Sequence, residues 1–310
     1  MSESAVNESV DWTADAGLLR DSSAGLLGSL DLVELGPGVF AARHQRIPSG
    51  RAYGGEVVAQ AVEAMTRTVE AERPIHSIHG YFLRAADVTR ATTWEVDRLR
   101  DGRTVSSRAV RGHQDGRVVF QGLASFQLAG KGPEHEVPMP AGIPGPDELP
   151  TSAEVLAGAD VRDTAYWSHE RSFDMRHWPS AVYVHADADV DGASPDFQVV
   201  WLKSYDRLPD DPRLHRTALA YLCDYTMLEP ALRRHRTAWA DEGLMTASMD
   251  HAMWWHRDDA RVDEWIAFVQ QSPAASNGRG TGYGRLYTRQ GELIATVIQE
   301  GVLSLPGSAG

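Results

Sequence analysis

Short apolar runs alternate with turn-forming pairs along this chain, and the rhythm occurs twice. Leu32 to Gln45 reads as two short strands around the turn Gly36-Pro37-Gly38. Gly54-Gly55 then opens an apolar-periodic segment, Glu56 to Glu70. Val57, Val58, Ala61, Ala64 and Met65 share its inner face, so a helix is predicted there. Four strands are predicted next: Ile75 to Leu83, Thr92 to Arg100, Thr104 to His113 and Val118 to Leu128. Asp101-Gly102 and Asp115-Gly116 punctuate them, and Asp-Gly between alternating runs is a strong hairpin signal.

Lys131 to Pro150 breaks the pattern with six prolines and several glycines, the composition of an extended surface segment. The same order then returns. Asp163 to Val184 starts as the leading strands did, and Gln198 to Ser204 is a strand. Leu214 to Leu228 is a helix ended near Pro230. Leu244 to Trp255, Trp265 to Ser272, Gly280 to Thr288 and Glu292 to Val302 are strands, the last two joined at Gln290-Gly291. His79-Gly80-Tyr81-Phe82-Leu83 aligns with His251-Ala252-Met253-Trp254-Trp255. The division expected is a disordered 1–15, a first repeat over 16–130, a linker over 131–162 and a second repeat over 163–305. Leu18, Leu19, Leu26, Leu27 and Leu30 suggest a short helical arm before the first repeat. A helix leading into a mostly antiparallel sheet indicates α+β. Such a sheet can wrap its helix, which then needs an apolar surface on most sides, and the Ala- and Val-rich Val57 to Met65 supplies one.

Composition narrows the function. Of 310 residues, 42% are hydrophobic and 24% charged, ordinary values for a globular chain. No run of about 18 apolar residues marks a transmembrane helix. The net charge of −13 argues against a nucleic-acid partner. The polar, acidic start lacks the form of a signal peptide, and the single cysteine, Cys223, fits a reducing cytoplasm. No Cys/His cluster has zinc-site spacing, so no metal is expected.

Several polar residues sit where a core pattern should exclude them. Met249 to Arg257 is bulky and aromatic, yet contains Asp250, His251, His256 and Arg257, with Ser248 just upstream. Asp224 ends the apolar run Ala218 to Cys223, and Gln299 follows Leu293 to Ile298. Burying such groups without hydrogen bonds costs a few kcal/mol each. Three in one domain suggests that they act together. His251 and His256 are five apart on a strand, on opposite faces, so they cannot chelate one metal as neighbours. They, and His76 and His79, read as buried or paired side chains, and Cys223 as a small core residue. Asp250 reads as the partner of an arginine or of a backbone group. Gly54 and Gly55 fit either a helix start that binds an anion or polarises a carbonyl, or a tight turn with positive φ.

These blocks resemble the acyl-CoA thioesterase II family, whose fold is a tandem (double) hotdog, two helices each wrapped by a mostly antiparallel sheet. The matching stretches are Tyr53 to Ala61, His76 to Arg84, Leu99 to Arg103, Met249 to Trp254, Asp263 to Trp265 and Val297 to Gly301. The resemblance implies hydrolysis of acyl-CoA to a free acid and coenzyme A by a directly activated water, without a cofactor. It places the catalytic aspartate at Asp224, the hydroxyl residue at Ser248 and the glutamine at Gln299. Thr246 shares the strand face of Ser248, and a register slip would point there instead. In the first half, His76 and Ala124 occupy the positions matching Ser248 and Gln299, so one active site per chain is expected. The first half is then expected to supply walls and dimer surface. Candidate substrate contacts are Gly54, Gly55, His79, Arg84, Arg257 and Arg279, with Arg103 a further phosphate candidate. A homo-oligomer, dimer or tetramer, in the cytoplasm is expected. Two other readings stand beside this one. A hotdog enoyl-CoA hydratase or dehydratase needs an Asp/His pair near one helix start, but Ala231 stands seven residues beyond Asp224. A non-catalytic acyl-CoA-binding module would lack one of the three polar residues. Chain-length preference is not readable from the sequence.

Overall fold

The computed structural model describes residues 25–161, 163–186 and 197–307. The expected loose segment 1–15, with Leu18 and Leu19 of the expected arm, lies outside these. The remainder of the arm forms α1 (Gly25–Ser29).

The first half runs β1 (Val33–Gly36), β2 (Val39–Ala42), α2 (Gly54–Thr66), β3 (Ile75–Phe82), β4 (Thr92–Asp101), β5 (Val105–Gln114) and β6 (Arg117–Gln127). After a short α3 (Ser152–Val155), the second half runs β7 (Phe173–Trp178), β8 (Phe197–Ser204), α4 (Pro212–Leu222), α5 (Glu229–Arg234), β9 (Met245–Ser248), β10 (Asp250–Trp255), β11 (Ile266–Ser276), β12 (Arg279–Thr288) and β13 (Leu293–Ser304). All strands join one antiparallel sheet in the order β1-β2-β4-β5-β6-β3-β10-β13-β12-β11-β8-β7, with β9 beside β13. The halves meet at the β3–β10 ladder, where Asp250 pairs with Tyr81 and Ala252 with His79. This is the double hotdog: each half wraps its sheet around a helix, and α2 and α4 pack against each other.

Helix α2 is buried on most sides, as its alanines and valines allow. Val58, Ala61, Val62 and Met65 from α2 share one continuous core with Ala218, Leu219 and Leu222 from α4, and with Trp94, Phe120, Met253, Phe268 and Val297 from the sheet. At about 25 cal/mol per Å² of buried apolar surface, that shared core ties the halves together.

The linker does more than connect. Met139, Ile143 and Leu149 pack on Val199, Trp201, Ala267, Val269 and Tyr287, the outward face of the second half's sheet. Trp201 Nε1 donates to the Pro144 carbonyl at 2.9 Å, and Arg176 Nη1 donates to that of Pro146 at 2.8 Å. Strand β8 and the first half of β11, Ile266 to Gln270, are therefore covered on both faces, which explains the apolar runs there.

Several elements differ from those read in the sequence. The strand expected over 244–255 is divided at Met249 into β9 and β10. The segment 163–184, expected to open with strands, begins with a helical turn at Tyr166–Glu170 ahead of β7. The helix expected over 214–228 ends at Leu222. Pro230 begins a separate helix, α5, instead of ending the previous one, because the missing N–H of proline is harmless in a first turn. The strand expected to end at Ser272 continues to Ser276. Pro273 interrupts its ladder at a register shift between Gln271 and Ala274, and the hairpin closes at Asn277-Gly278, with φ of 50° and 71°. Both angles are positive, as a two-residue hairpin turn requires. Asp115-Gly116 has the same form, with φ of 48° and 70°.

Candidate active site

The interruption of α4 matters because it releases Asp224. Cys223 caps the helix and donates Sγ–H to the Leu219 carbonyl at 2.9 Å. Asp224 follows outside the helix, where its carboxylate meets the sheet. Ser248, the last residue of β9, donates Oγ–H to Asp224 Oδ1 at 2.7 Å. Gln299 of β13 donates from Nε2 to the same Oδ1 and, at 2.9 Å, to Ser248 Oγ. Three residues from separate segments thus close a triangle of hydrogen bonds. Thr246 also borders the cavity, but its ladder partner is Leu303, whereas Ser248 pairs beside Gly301 and reaches Asp224.

The start of α2 completes the site from the other half. Neither Gly54 nor Gly55 has a positive φ, so the tight-turn reading is set aside. Close approach is the physical reason for both glycines. A Cβ on Gly54 would stand 2.4 Å from Asp224 Oδ2, and one on Gly55 would stand 2.1 Å from the Tyr221 carbonyl oxygen. The anion at this helix start is the protein's own: the Gly55 N–H hydrogen-bonds the Asp224 carboxylate. Oδ1 is committed to Ser248 and Gln299, while Oδ2 faces Gly54, which lines the cavity.

Asp224 keeps some surface on the cavity, yet protein encloses it closely. That desolvation pushes its pKa up, against the hydrogen bonds from Gln299, Ser248 and the Gly55 N–H, which favour the charged form.

His251 belongs to this network, although its sequence context reads as structural. Its Nδ1 lies 2.8 Å from Gln299 Oε1. Burial pushes its pKa down, so the ring is neutral near pH 7. Gln299 uses its amide N–H groups on Asp224 and Ser248, so its oxygen must accept from His251 and Nδ1 carries the hydrogen. The ring thereby fixes which way the glutamine amide points. Only the strand pairing reveals this: the β10–β13 register pairs Ala252 with Ile298, which sets His251 beside Gln299.

A cavity of about 860 Å³ opens at the triad. Tyr53, Gly54, Val57 and Phe82 line it from the first half, and Asp224, Tyr225, Ser248 and Gln299 from the second. Arg51 and Arg84 are exposed residues on its wall. Of the candidate substrate contacts only Gly54 and Arg84 line this cavity; Gly55 stands behind Asp224, to which its N–H is bonded, and the other three lie elsewhere. His79 lies exposed on the outer sheet face, edge-on to Trp254 at 5.0 Å. Arg257 pairs with Asp259 and Glu292, and Arg279 with Glu300. Arg103 offers its carbonyl to Arg73. Strand spacing alone could not reveal these placements, because the outer face and the hairpin ends point away from the helix starts. Asp250 accepts from the Glu300 N–H at 2.7 Å, the backbone role among its two expected ones. His76 bonds Ser125, and His256 bonds Thr296.

Comparison with known proteins agrees with this geometry. Residues 43–127 match the family model for the acyl-CoA thioesterase N-terminal domain, and residues 169–302 match that for acyl-CoA thioesterase. Human acyl-coenzyme A thioesterase 8 is 32% identical over 290 residues, covering 88% of this chain and 87% of the relative. Acyl-CoA thioesterase 2 of Haemophilus influenzae is 29% identical, covering 92% and 99%. The crystal structure of an acyl-CoA thioesterase II, TesB2, from Mycobacterium marinum is 37% identical, with a TM-score of 0.73 over 90% of this chain and 98% of that one. With two linked hotdog repeats, a polar triad at their junction and matches to the family over both halves, this chain belongs to the acyl-CoA thioesterase family.

Proposed function

We propose that this enzyme hydrolyses acyl-CoA thioesters by direct attack of a water held at Asp224. The observation that carries the route is the convergence of Asp224, Ser248 and Gln299 on one cavity wall, with Oδ2 of Asp224 directed to the side of Gly54. The water oxygen attacks the thioester carbonyl carbon while Asp224 takes its proton. The tetrahedral adduct then expels the coenzyme A sulfur, which recovers that proton from Asp224. Ser248 and Gln299 hold the carboxylate and the water in line, and orientation of this kind can supply several kcal/mol. His251 is a positioning residue acting through Gln299. The exposed Arg51 and Arg84 are suited to the nucleotide phosphates at the cavity mouth.

This route predicts a particular pH profile. Burial raises the Asp224 pKa, and the base is active only when ionised. Activity is therefore lost as pH falls through a value above the ordinary aspartate pKa of about 3.9. A pH series of kcat/KM measures the acid limb. A limb at or below about pH 4 would contradict the assigned base.

Ser248 separates direct hydrolysis from an acyl-enzyme. Its hydroxyl donates to a carboxylate and has no histidine beside it as base, and His251 is engaged by Gln299. Ser248→Thr is expected to retain much of the activity because the hydroxyl remains, and Ser248→Ala to lose it. Mass spectrometry of a quenched reaction should show no acyl adduct on this serine. An adduct whose level tracks turnover would overturn direct water attack but leave the thioesterase activity standing.

Homo-oligomerisation is proposed on the outer face of the central strands. There Tyr81, Leu123 and Ile298 are 62%, 55% and 39% exposed, large apolar side chains that a second copy would cover. A monomeric mass by light scattering at micromolar concentration would reject it. Among the described residues no helix is long and apolar enough to cross a membrane.

A further inference from the structure

Behind the triad the cavity contains a cation that water attack does not require. Arg171 stands between the single π-helical turn Tyr166–Glu170 and β7, lines the cavity, and is only 8% exposed. Its guanidinium carbon lies 5.3 Å from the Tyr166 ring centroid, 5.6 Å from that of Tyr183 and 5.1 Å from that of Tyr225. Its Nη1 donates to Met175 Sδ and to Tyr183 Oη, each at 3.4 Å, and the guanidinium also hydrogen-bonds the Tyr166 hydroxyl, so every partner it has is neutral. Its Nε is buried without a partner. Among the described residues no carboxylate forms an ion pair with it. Glu229 acts on it only through space, because that carboxylate is bonded by Gln198 and Trp239 and paired with His177.

A buried cation without an anion bears a large desolvation penalty. Three tyrosine faces recover part of it through cation–π attraction. The remaining donors suit a planar anion, since a guanidinium binds a carboxylate through parallel N–H groups. Two other buried arginines, Arg108 and Arg216, find carboxylates within the protein, at Asp101 and Asp258. Arg171 instead faces the space where substrate sits.

The position identifies which part of the substrate reaches it. Tyr225, one wall of the cage, directly follows Asp224 and stacks on Tyr53 at 4.2 Å, and Tyr53 directly precedes Gly54. The cage therefore adjoins the reacting centre on its buried side. Arg51 and Arg84, which suit the coenzyme A phosphates, are exposed. The nucleotide needs the open mouth, so the group that extends inward past Asp224 is the acyl chain.

We infer that Arg171 receives an anionic end of the acyl group, so that this enzyme favours acyl-CoA substrates carrying a carboxylate at the far end of the chain. The inference rests on the thioesterase reading and adds a substrate class to it. Release of free thiol is measured with the whole protein on adipoyl-CoA, its terminal methyl ester and hexanoyl-CoA, and on the corresponding suberoyl and octanoyl set. A saturated series from acetyl- to palmitoyl-CoA runs beside them. The wild type is expected to show kcat/KM about 10- to 100-fold higher for an ω-carboxylate than for its methyl ester or its methyl-ended counterpart, the worth of charge-assisted hydrogen bonds. In Arg171→Met that ratio falls towards one, and Arg171→Lys restores part of it. A wild-type ratio at or below one for both chain lengths overturns the inference without any variant. A variant that loses activity equally on charged and uncharged chains also overturns it, since Arg171 would then serve the fold or the thioester itself. If straight-chain thioesters are hydrolysed and ω-carboxylates are not, only this inference fails. If no thioester in either series is hydrolysed, the thioesterase reading fails with it.

Discussion

Asp224→Asn is expected to lower kcat by about 10²-fold or more, the typical contribution of a positioned general base. The swap is nearly isosteric. An amide oxygen can still accept from Ser248 Oγ and Gln299 Nε2, so the triangle of hydrogen bonds keeps its acceptor. What disappears is the capacity to take a proton. The KM should change far less than kcat, because the substrate meets the cavity walls and not the carboxylate alone. Steady-state kinetics on a saturated acyl-CoA, with circular dichroism to verify the fold, measures both. A folded variant with full turnover would remove Asp224 from the mechanism.

Gly54→Ala should be nearly as damaging, for a steric reason. Alanine is the better helix former, by up to about 1 kcal/mol, and Gly54 does not need a positive φ. Local helix chemistry therefore welcomes the change. The site does not: the new Cβ would stand 2.4 Å from Asp224 Oδ2 and 3.3 Å from Phe82 Cε1. The carboxylate must move, and it then loses its alignment with Ser248 and Gln299. A displacement of about 1 Å can cost about 10²-fold in rate. The expected signature is a large loss of kcat with an unchanged or slightly raised melting temperature. Gly55→Ala provides the contrast, since its Cβ would stand 2.1 Å from a backbone carbonyl, which cannot swing aside. There the melting temperature itself should fall. Full activity in Gly54→Ala would show that the carboxylate tolerates displacement and has no exact station at the helix start.

Much of the architecture was legible because its signals are local. The period of Val57, Val58, Ala61 and Met65 specified a buried helix, and Asp115-Gly116 specified a hairpin. Gly54-Gly55 was legible as special but not as to cause, since the atoms that crowd it belong to Tyr221 and Asp224, far away in sequence. Pro273 obscured the length of β11, because a proline that breaks one ladder bond looks like a strand end until a bulge absorbs it. The arginines were least legible. Arg257 and Arg279 looked as available as Arg84, and only their carboxylate partners distinguish them. Arg171 drew no notice in the sequence, because isolation from acids and enclosure by three tyrosines are properties of space.

The sequence by itself determined the repeat, the helices and strands, and the three polar residues that the apolar pattern could not absorb. Periodicity and turn chemistry act over a few residues, so they are written in the order of the chain. The tertiary structure alone decided that Asp224 leaves its helix, that His251 orients Gln299, that a linker covers the back of the second sheet and that Arg171 faces the cavity. Each of these depends on which atoms from distant segments lie within about 4 Å, the range over which hydrogen bonds, ion pairs and packing act.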